Sequence, residues 1–290
     1  MKKLLFAFSI LAVLLLAACG GSDGEGSGEE IVKVKIGVNG ADGAQWPILQ
    51  EKAAKEGIEI ELVEFADYTL PNNALAQGEI DLNAFQHFIF LADYVNESGN
   101  DLVPIGSTMF APLGIYSQNI ADISEIKEGD KIAIPDDTTN QARALRLLES
   151  AGLITLAEDF GMAGDPSKIV DNPLNLEIIP MTAQQTPRVL PDVAASVINN
   201  GVAGQAGFEP AVDSIFRESG DDENIYPYVN LIAARAEDKD NEVYKRIVEL
   251  YQEDDIAQAI DEDTNGGSVL VVMTAEEIDE LFENLKNGEQ

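Results

Sequence analysis

The sequence predicts an α/β protein with mostly parallel sheets. Segments with the period-two pattern of a strand alternate with segments that have the apolar spacing of a helix, from residue 31 onward. Apolar residues make up 45% of the 290-residue chain and charged residues 24%, a composition typical of a folded protein rather than a disordered acidic one. The length suffices for one large domain or two medium ones.

The strand segments come in two kinds. Residues 31–38 and 58–65 alternate apolar and polar positions, whereas the others are short apolar runs between turn residues. The predicted strands are 31–38, 58–65, 80–83, 102–107, 113–117, 131–135, 176–180, 194–199 and 228–235.

The helical segments show start and stop signals. Pro71 stands at a helix start, and Gly57, Gly78 and Gly152 each follow a helix end. The predicted helices are 46–56, 71–77, 84–95, 139–151, 243–252, 255–261 and 275–286.

A polar stretch, residues 117–129, separates two α/β units. A new strand–helix unit begins at Lys131, and after Tyr228 the chain forms one strand and then helices. A chain that crosses to a second lobe and returns would leave a cleft between two lobes. We expect residues 31–115 to begin lobe 1, 116–228 to form lobe 2 and 229–290 to return to lobe 1.

Charge and residue usage exclude several classes of function. The net charge of −34 makes nucleic acid a poor partner, because phosphate binding needs clustered Lys and Arg, and anionic lipid headgroups would be repelled. With one Cys and one His, the chain can form no internal disulfide. A zinc or copper site needs three or four such ligands, so no metal and no other cofactor is expected.

The N-terminus has the pattern of a secretory signal. Lys2 and Lys3 precede an apolar run, residues 4–18, which is too short to span a membrane comfortably. The run ends in LAACG, similar to a bacterial lipobox in which Cys19 is lipidated and becomes the first mature residue. The alternative is a plain signal peptide with an incidental Cys. Residues 20–30 contain no apolar side chain and predict a flexible tether.

The first candidate site is the segment DLNAFQHFIFL, residues 81–91. Here a strand runs into a helix, the place where ligands usually lie in α/β sheets, and aromatic side chains could form an apolar slot. Phe85, His87, Phe88 and Phe90 carry this possibility. Composition favours a core position for Phe85 and Phe88, and leaves His87 open between the wall of a pocket and the core.

The second candidate site is the segment PDDTTNQARALRLL, residues 135–148. Thr138, Thr139 and Asn140 are good N-cap residues, and the free N–H groups of a helix start favour an anion. Arg143 lies in the first turn, where its planar fork suits a carboxylate. An ordinary ion pair with a surface acid is an equal alternative for Arg143 and the favoured one for Arg146.

Three further polar residues stand at strand ends or inside strands. Asn199 follows an apolar strand and could contact a ligand or simply form the turn with Asn200. Asn230 lies inside an apolar strand, where Asn is depleted and costly to bury unpaired. Tyr68 could close an apolar pocket, although a capped turn is slightly favoured.

These segments, in this order, resemble the NlpA lipoprotein family, whose members are methionine-binding lipoproteins of ABC importers. The resemblance covers essentially the whole mature chain, together with the lipobox. It is carried by FADYTLPNNALAQGEIDLNAFQHFIFL (65–91), PLGIYS (112–117), IPDDTTNQARALRLLESAGLI (134–154), DVAASVINNGVA (192–203) and PYVNLIAAR (227–235).

The resemblance implies a two-lobe, type II periplasmic-binding-protein fold with L-methionine or a close analogue enclosed between the lobes. It implies that Arg143 pairs with the ligand carboxylate and that Asn199 and Asn230 bind the polar end of the ligand. Tyr68, Phe85 and His87 would line the thioether pocket. The chain has Ile89-Phe90 where the family often has Pro-Tyr, which removes a hydroxyl.

The resemblance also implies the partners: an ABC permease with a cytoplasmic ATPase, a membrane reached through the lipid anchor only, and no partner subunit. The protein would act as a monomer on the outer face of a cell membrane and would not be an enzyme. The alternatives are another small amino acid or a Met-containing dipeptide as ligand, an extracellular hydrolase, for which no GxSxG motif is present, and a surface adhesin.

Overall fold

The computed structural model describes residues 31–220 and 223–288; the predicted signal peptide, Cys19 and the tether lie outside them. The helices are α1 (Gln45–Ala54), α2 (Pro71–Ala76), α3 (Phe88–Ser98), α4 (Thr138–Ser150), α5 (Asn200–Gln205), α6 (Pro210–Asp213), α7 (Glu242–Tyr251), α8 (Asp254–Asp263) and α9 (Ala275–Lys286). The strands are β1 (Val32–Val38), β2 (Ile58–Glu64), β3 (Leu82–Asn83), β4 (Leu102–Phe110), β5 (Gly114–Tyr116), β6 (Lys131–Pro135), β7 (Thr155–Leu156), β8 (Ile169–Asp171), β9 (Glu177–Met181), β10 (Ala195–Ile198), β11 (Phe216–Arg217), β12 (Val229–Arg235) and β13 (Val269–Leu270).

Two sheets form the centres of two lobes within one compact unit that begins at Val32. The first sheet has the strand order β13-β4-β12-β3-β1-β2, and the second has the order β11-β5-β10-β6-β9. Strands β7 and β8 form a separate pair. The chain leaves the first sheet after β4, builds the second sheet, and returns with β12.

Both sheets have mixed strand directions, so the prediction of mostly parallel sheets is wrong. Strands β1, β2 and β3 run parallel, as do β6, β9 and β10. The returning strand β12 inserts antiparallel between β3 and β4. In the second sheet β5 pairs antiparallel with β10, and β11 pairs antiparallel with β5. A crossover pattern in sequence predicts the parallel pairs, whereas the direction of a returning strand depends on how the lobes connect.

Apolar side chains bury both faces of the first sheet. One core lies under α1, α7 and α8 and includes Leu49, Ile247 and Ile256, all fully buried. The other lies under α2, α3 and α9 and includes Leu75 and Leu91. In the second lobe α4 packs its apolar stripe on β5, β6 and β10. Helices on both faces of a sheet are the arrangement expected for an α/β protein.

The predicted elements lie within about three residues of the observed ones except at the start of α3, and the short helices α5 and α6 were not predicted. The sequence predicts a helix from residue 84, but α3 begins at Phe88 because residues 84–87 are held in a different conformation, described below. Strands β7, β8, β11 and β13, of two or three residues, carry no alternating pattern and were not predicted. The lobe boundaries stay a prediction; Gly114–Tyr116 pairs within the second sheet.

No helix in the described ranges is long and apolar enough to cross a bilayer.

Candidate functional site

A cavity of about 360 Å³ lies between the lobes and is lined by side chains from both. This size is within the range of small-molecule sites. All six residues predicted to bind a ligand line it: Tyr68, Phe85, His87, Arg143, Asn199 and Asn230. The cavity continues to exposed polar side chains at its mouth, which are Asp42, Gln205, Glu209, Asp263 and Asn265.

Three aromatic rings form one wall of the cavity. The ring centroids of Tyr68 and Phe85 are 6.0 Å apart, and Phe90 packs edge-on against both, at 6.3 Å from Tyr68 and 5.8 Å from Phe85. Both phenylalanines are half-buried and line the cavity, whereas Phe88 is fully buried in the core. The core interpretation therefore holds for Phe88 and fails for Phe85, because the helix begins only after Phe85.

Buried amides hold the segment before α3 in a non-helical path. Asn72 Nδ2 donates to Gln86 Oε1 at 2.7 Å, and Asn83 Nδ2 donates to Asn72 Oδ1 at 2.8 Å. Gln86 Nε2 donates to the side-chain oxygens of both asparagines. Because each of these amides is buried, the network strongly favours one conformation. It places Phe85 and His87 on the cavity.

His87 is the N-cap of α3 and is neutral. Its Nδ1 accepts a hydrogen bond from the backbone N–H of Phe90, so the ring proton is assigned to Nε2, which lies 3.3 Å from Asn140 Oδ1. Burial, with the nearby Arg143 guanidinium, lowers the pKa of His87 to about 3. The imidazole can therefore donate a hydrogen bond across the cleft but carries no charge near neutral pH.

Acid is expected to destabilise the protein through His87. An unfolded His titrates near 6.5, so between pH 6.5 and about 3 the unfolded chain binds a proton that the folded chain excludes. The free energy of unfolding should then fall by about 1.4 kcal/mol per pH unit below 6.5 from this group alone. Urea denaturation from pH 4.5 to 7.5 measures the slope, and His87→Asn, which can still cap α3, should reduce it.

Asp93 contributes with the opposite sign in the same experiment. Burial, with Glu97 and Asp137 nearby, raises the pKa of Asp93 to about 6, so its contribution to stability is lost as the pH rises from 4 to 6. Because Asp93 is present in both proteins, the difference between wild type and His87→Asn isolates His87. Parallel stability curves for the two proteins would contradict the assignment of a neutral, buried His87.

Asn140 joins the two lobes at the floor of the cavity. It lies in the first turn of α4, and its Oδ1 receives the Nδ2–H of Asn199 at 2.7 Å as well as facing His87. Its own Nδ2 and backbone N–H donate to Asp137 Oδ1 at 2.9 and 3.0 Å. The predicted cap among residues 138–140 is wrong, since Asp137 is the N-cap of α4. Its carboxylate takes the place predicted for a ligand anion.

The two predicted asparagines offer polar groups to the cavity. Asn199 is 9% exposed, and its Oδ1 is buried without a hydrogen-bond partner in the described part of the chain. Asn230 is half-buried in β12, and its backbone bridges to that of His87. A buried carbonyl without a donor is costly, so the Asn199 oxygen is suited to accept a hydrogen bond from a bound molecule.

Arg143 is buried beside the cavity and is already paired. Its Nε and Nη2 donate to Glu218 at 2.8 and 2.6 Å, and Nη2 also donates to the carbonyl of Ala111 at 3.1 Å. The guanidinium carbon lies 4.6 Å from the centre of the Tyr228 ring. The alternative of an ion pair is thus correct for two of the guanidinium nitrogens, Nε and Nη2. The pair is not on the surface, however, since Arg143 is only 4% exposed.

Sequence reasoning missed several parts of this site. Asn140 was noted only as a cap, although its spacing of three residues from Arg143 puts both on one helix face. Glu218 carries no local signal among 52 acidic residues. Arg146 lies away from the cavity, but its partner is the carbonyl of Phe160 at 2.9 Å and not the surface acid that the sequence favoured. The described residues contain no group of three or more side chains placed to hold a metal.

The family model described as NlpA lipoprotein matches residues 34–272. The D-methionine-binding lipoprotein MetQ of Salmonella typhimurium is 40% identical over 265 residues, which cover 90% of this chain and 94% of the relative.

Solved structures agree with the sequence comparison. The crystal structure of protein PG110 from Staphylococcus aureus is similar with a TM-score of 0.85 and 45% identity, covering 87% of this chain and 99% of that one. A nutrient-binding protein from Burkholderia cenocepacia, solved bound to methionine, is similar with a TM-score of 0.77 and 37% identity, covering 83% and 99%.

Proposed function

Because the chain belongs to the NlpA lipoprotein family, we propose that it is a lipid-anchored extracytoplasmic receptor that binds methionine between its lobes and delivers it to an ABC importer. One observation carries the proposal: a single cavity joins an aromatic wall to a buried arginine and two asparagines. Methionine has the same division, with an apolar thioether chain at one end and a charged amino-acid group at the other.

The aromatic wall suits the methionine side chain. A thioether is polarizable and packs favourably against ring edges, and Tyr68, Phe85 and Phe90 present three rings within about 6 Å of one another. Burial raises the pKa of the Tyr68 hydroxyl, so this ring stays neutral. The Phe90 ring completes the wall without a hydroxyl group.

The polar groups suit the amino-acid end. Arg143 is the only Lys or Arg among the described residues that line the cavity, so it is the partner for the ligand carboxylate. The unpartnered Asn199 oxygen accepts from the ligand ammonium, and the Asn230 amide can serve either group. His87 holds the floor together through Asn140.

The proposal extends to anchoring and transport. Cys19 carries the lipid that holds the protein, as a monomer, at the outer face of the membrane, and several acyl chains give a stable anchor. The partners are an ABC permease and its cytoplasmic ATPase, with no catalytic step on the ligand. The similar proteins are substrate-binding transport proteins, which supports a receptor rather than an enzyme.

Titration calorimetry on the mature domain tests the proposal. The protein is unfolded and refolded first, in order to remove bound ligand, and L-methionine, D-methionine and Gly-Met are injected in turn. We expect saturable one-to-one heat with L-methionine; the D enantiomer is included because relatives are named for it, and Gly-Met because the cavity continues to a polar mouth. A refolded protein that binds none of the three would overturn the methionine assignment.

A further inference from the structure

Two of the three guanidinium nitrogens of Arg143, Nε and Nη2, are hydrogen-bonded to described residues. Both carboxylate oxygens of Glu218 accept from Nε and Nη2, and Ala111 accepts a second bond from Nη2. The rings of Tyr228 and Phe110 lie 4.6 and 5.8 Å from the guanidinium carbon. Nη1 makes no hydrogen bond to any residue that the structure describes, so it is the nitrogen left for a ligand.

Glu218 is itself fixed in place. Its Oε2 accepts from the backbone N–H of Leu113 at 2.7 Å, and its own N–H donates to the Leu113 carbonyl at 3.0 Å. Its side chain is 18% exposed, against 4% for Arg143. A bidentate pair of this kind is geometrically specific, and so Glu218 both orients the guanidinium and cancels its charge.

The other ionisable groups around the cavity add no positive charge. His87 is neutral, and Asp137 is occupied as the cap of α4. The mouth carries three acids: Asp42, Glu209 and Asp263. The inner end of the cavity therefore has a cation for a carboxylate to contact, but no net positive charge to attract an anion.

We propose that Glu218 is a specificity-determining residue, which makes the cleft select zwitterionic amino acids over monoanions of the same shape. With Glu218 present, a ligand that carries a carboxylate binds tightly only if it also carries an ammonium group. That ammonium group contacts Asn199 and lies among the acidic side chains around the cavity. Without it, Arg143 attracts any carboxylate and repels an ammonium. The inference rests on the proposed function.

Three ligands of one shape test this role by calorimetry: L-methionine, 4-(methylthio)butanoate, which lacks the ammonium, and L-methioninamide, which lacks the carboxylate charge. We expect the ratio of butanoate affinity to methionine affinity to be higher in Glu218→Gln than in wild type by about tenfold or more. The ratio of amide affinity to methionine affinity should be lower in Glu218→Gln than in wild type. Glu177→Gln is the matched control, since it removes a carboxylate 60% exposed on β9 in the same lobe.

Glu218→Asp separates charge from geometry. This variant keeps the charge but shortens the reach, so methionine should bind more weakly while the ratio of butanoate to methionine affinity stays close to that of wild type. A merely structural role would instead weaken all three ligands by the same factor in both variants.

The outcomes distinguish this inference from the proposed function. A wild-type protein that binds none of the three ligands overturns the methionine assignment of the proposed function. Methionine binding with an unchanged ratio in a folded Glu218→Gln protein overturns only the role of Glu218. If Glu218→Gln does not fold, loss of the wild-type ratio in Glu218→Asp overturns it.

Discussion

Replacing Arg143 with Ala is expected to weaken methionine binding by about 2–5 kcal/mol, which is roughly 30-fold to several thousand-fold. The reason is that the ligand carboxylate would lose the only Lys or Arg among the described residues of the cavity and remain buried without a cation. Calorimetry with L-methionine on Arg143→Ala and wild type measures the difference.

Two variants show that such a loss is local to the site. Arg143→Ala alone leaves Glu218 unpaired and should lower the free energy of unfolding by about 3 kcal/mol. The double variant Arg143→Ala/Glu218→Gln should recover most of this stability but not the binding. Arg146→Ala, on the same helix but bonded to Phe160, should bind methionine normally. Equal affinities for Arg143→Ala and Arg146→Ala would remove Arg143 from the site.

Replacing Asn140 with Ala is expected to weaken methionine binding by about 2 kcal/mol or more. The change removes the acceptor that Asn199 and His87 share, and so leaves two buried donors from opposite lobes without a partner. Because His87 lies in the first lobe, whereas Asn140 and Asn199 lie in the second, the contact between the lobes loses the hydrogen bond from His87. Calorimetry measures the affinity, and the thermal midpoints with and without methionine report the same loss.

Asn287→Ala is the matched control for Asn140. Asn287 also lies at a helix end, following α9, but it is exposed and outside the cavity. Its replacement should leave the methionine affinity unchanged and alter the thermal midpoint by little. If Asn140→Ala retained wild-type affinity, the link between His87 and Asn199 through Asn140 would be a packing contact that does not contribute to binding.

Local sequence patterns were sufficient to predict most of the elements. The alternation in 31–38 and 58–65, and Gly152 after α4, mark β1, β2 and the end of α4 closely. The start of α3 was predicted four residues early because the buried amides of Asn72 and Gln86 hold the preceding segment out of a helix. Those amides are 14 residues apart, so no local pattern could reveal their contact.

The residues of the candidate site likewise divide into those that local sequence predicts and those that depend on distant contacts. Arg143 could be chosen because a guanidinium near a helix start is an unusual feature in so acidic a chain, although α4 begins at Thr138 and places Arg143 in its second turn. Glu218 could not, because its partner is 75 residues away and its own neighbours give no pattern. The sequence predicts Asn140 only as a capping residue, because its role between the two lobes depends on His87, which is 53 residues away.

The sequence by itself determined the alternation of strands and helices, the resemblance to the NlpA family and six of the side chains that line the cavity. These depend on short-range periodicity, on capping and on motifs of a few residues. Only the tertiary structure decided the direction of β12, the neutral state of His87, the link through Asn140 and the pairing of Arg143 with Glu218. Each of these depends on burial and on contacts between segments far apart in the chain, since desolvation and hydrogen-bond geometry exist only once both lobes have packed.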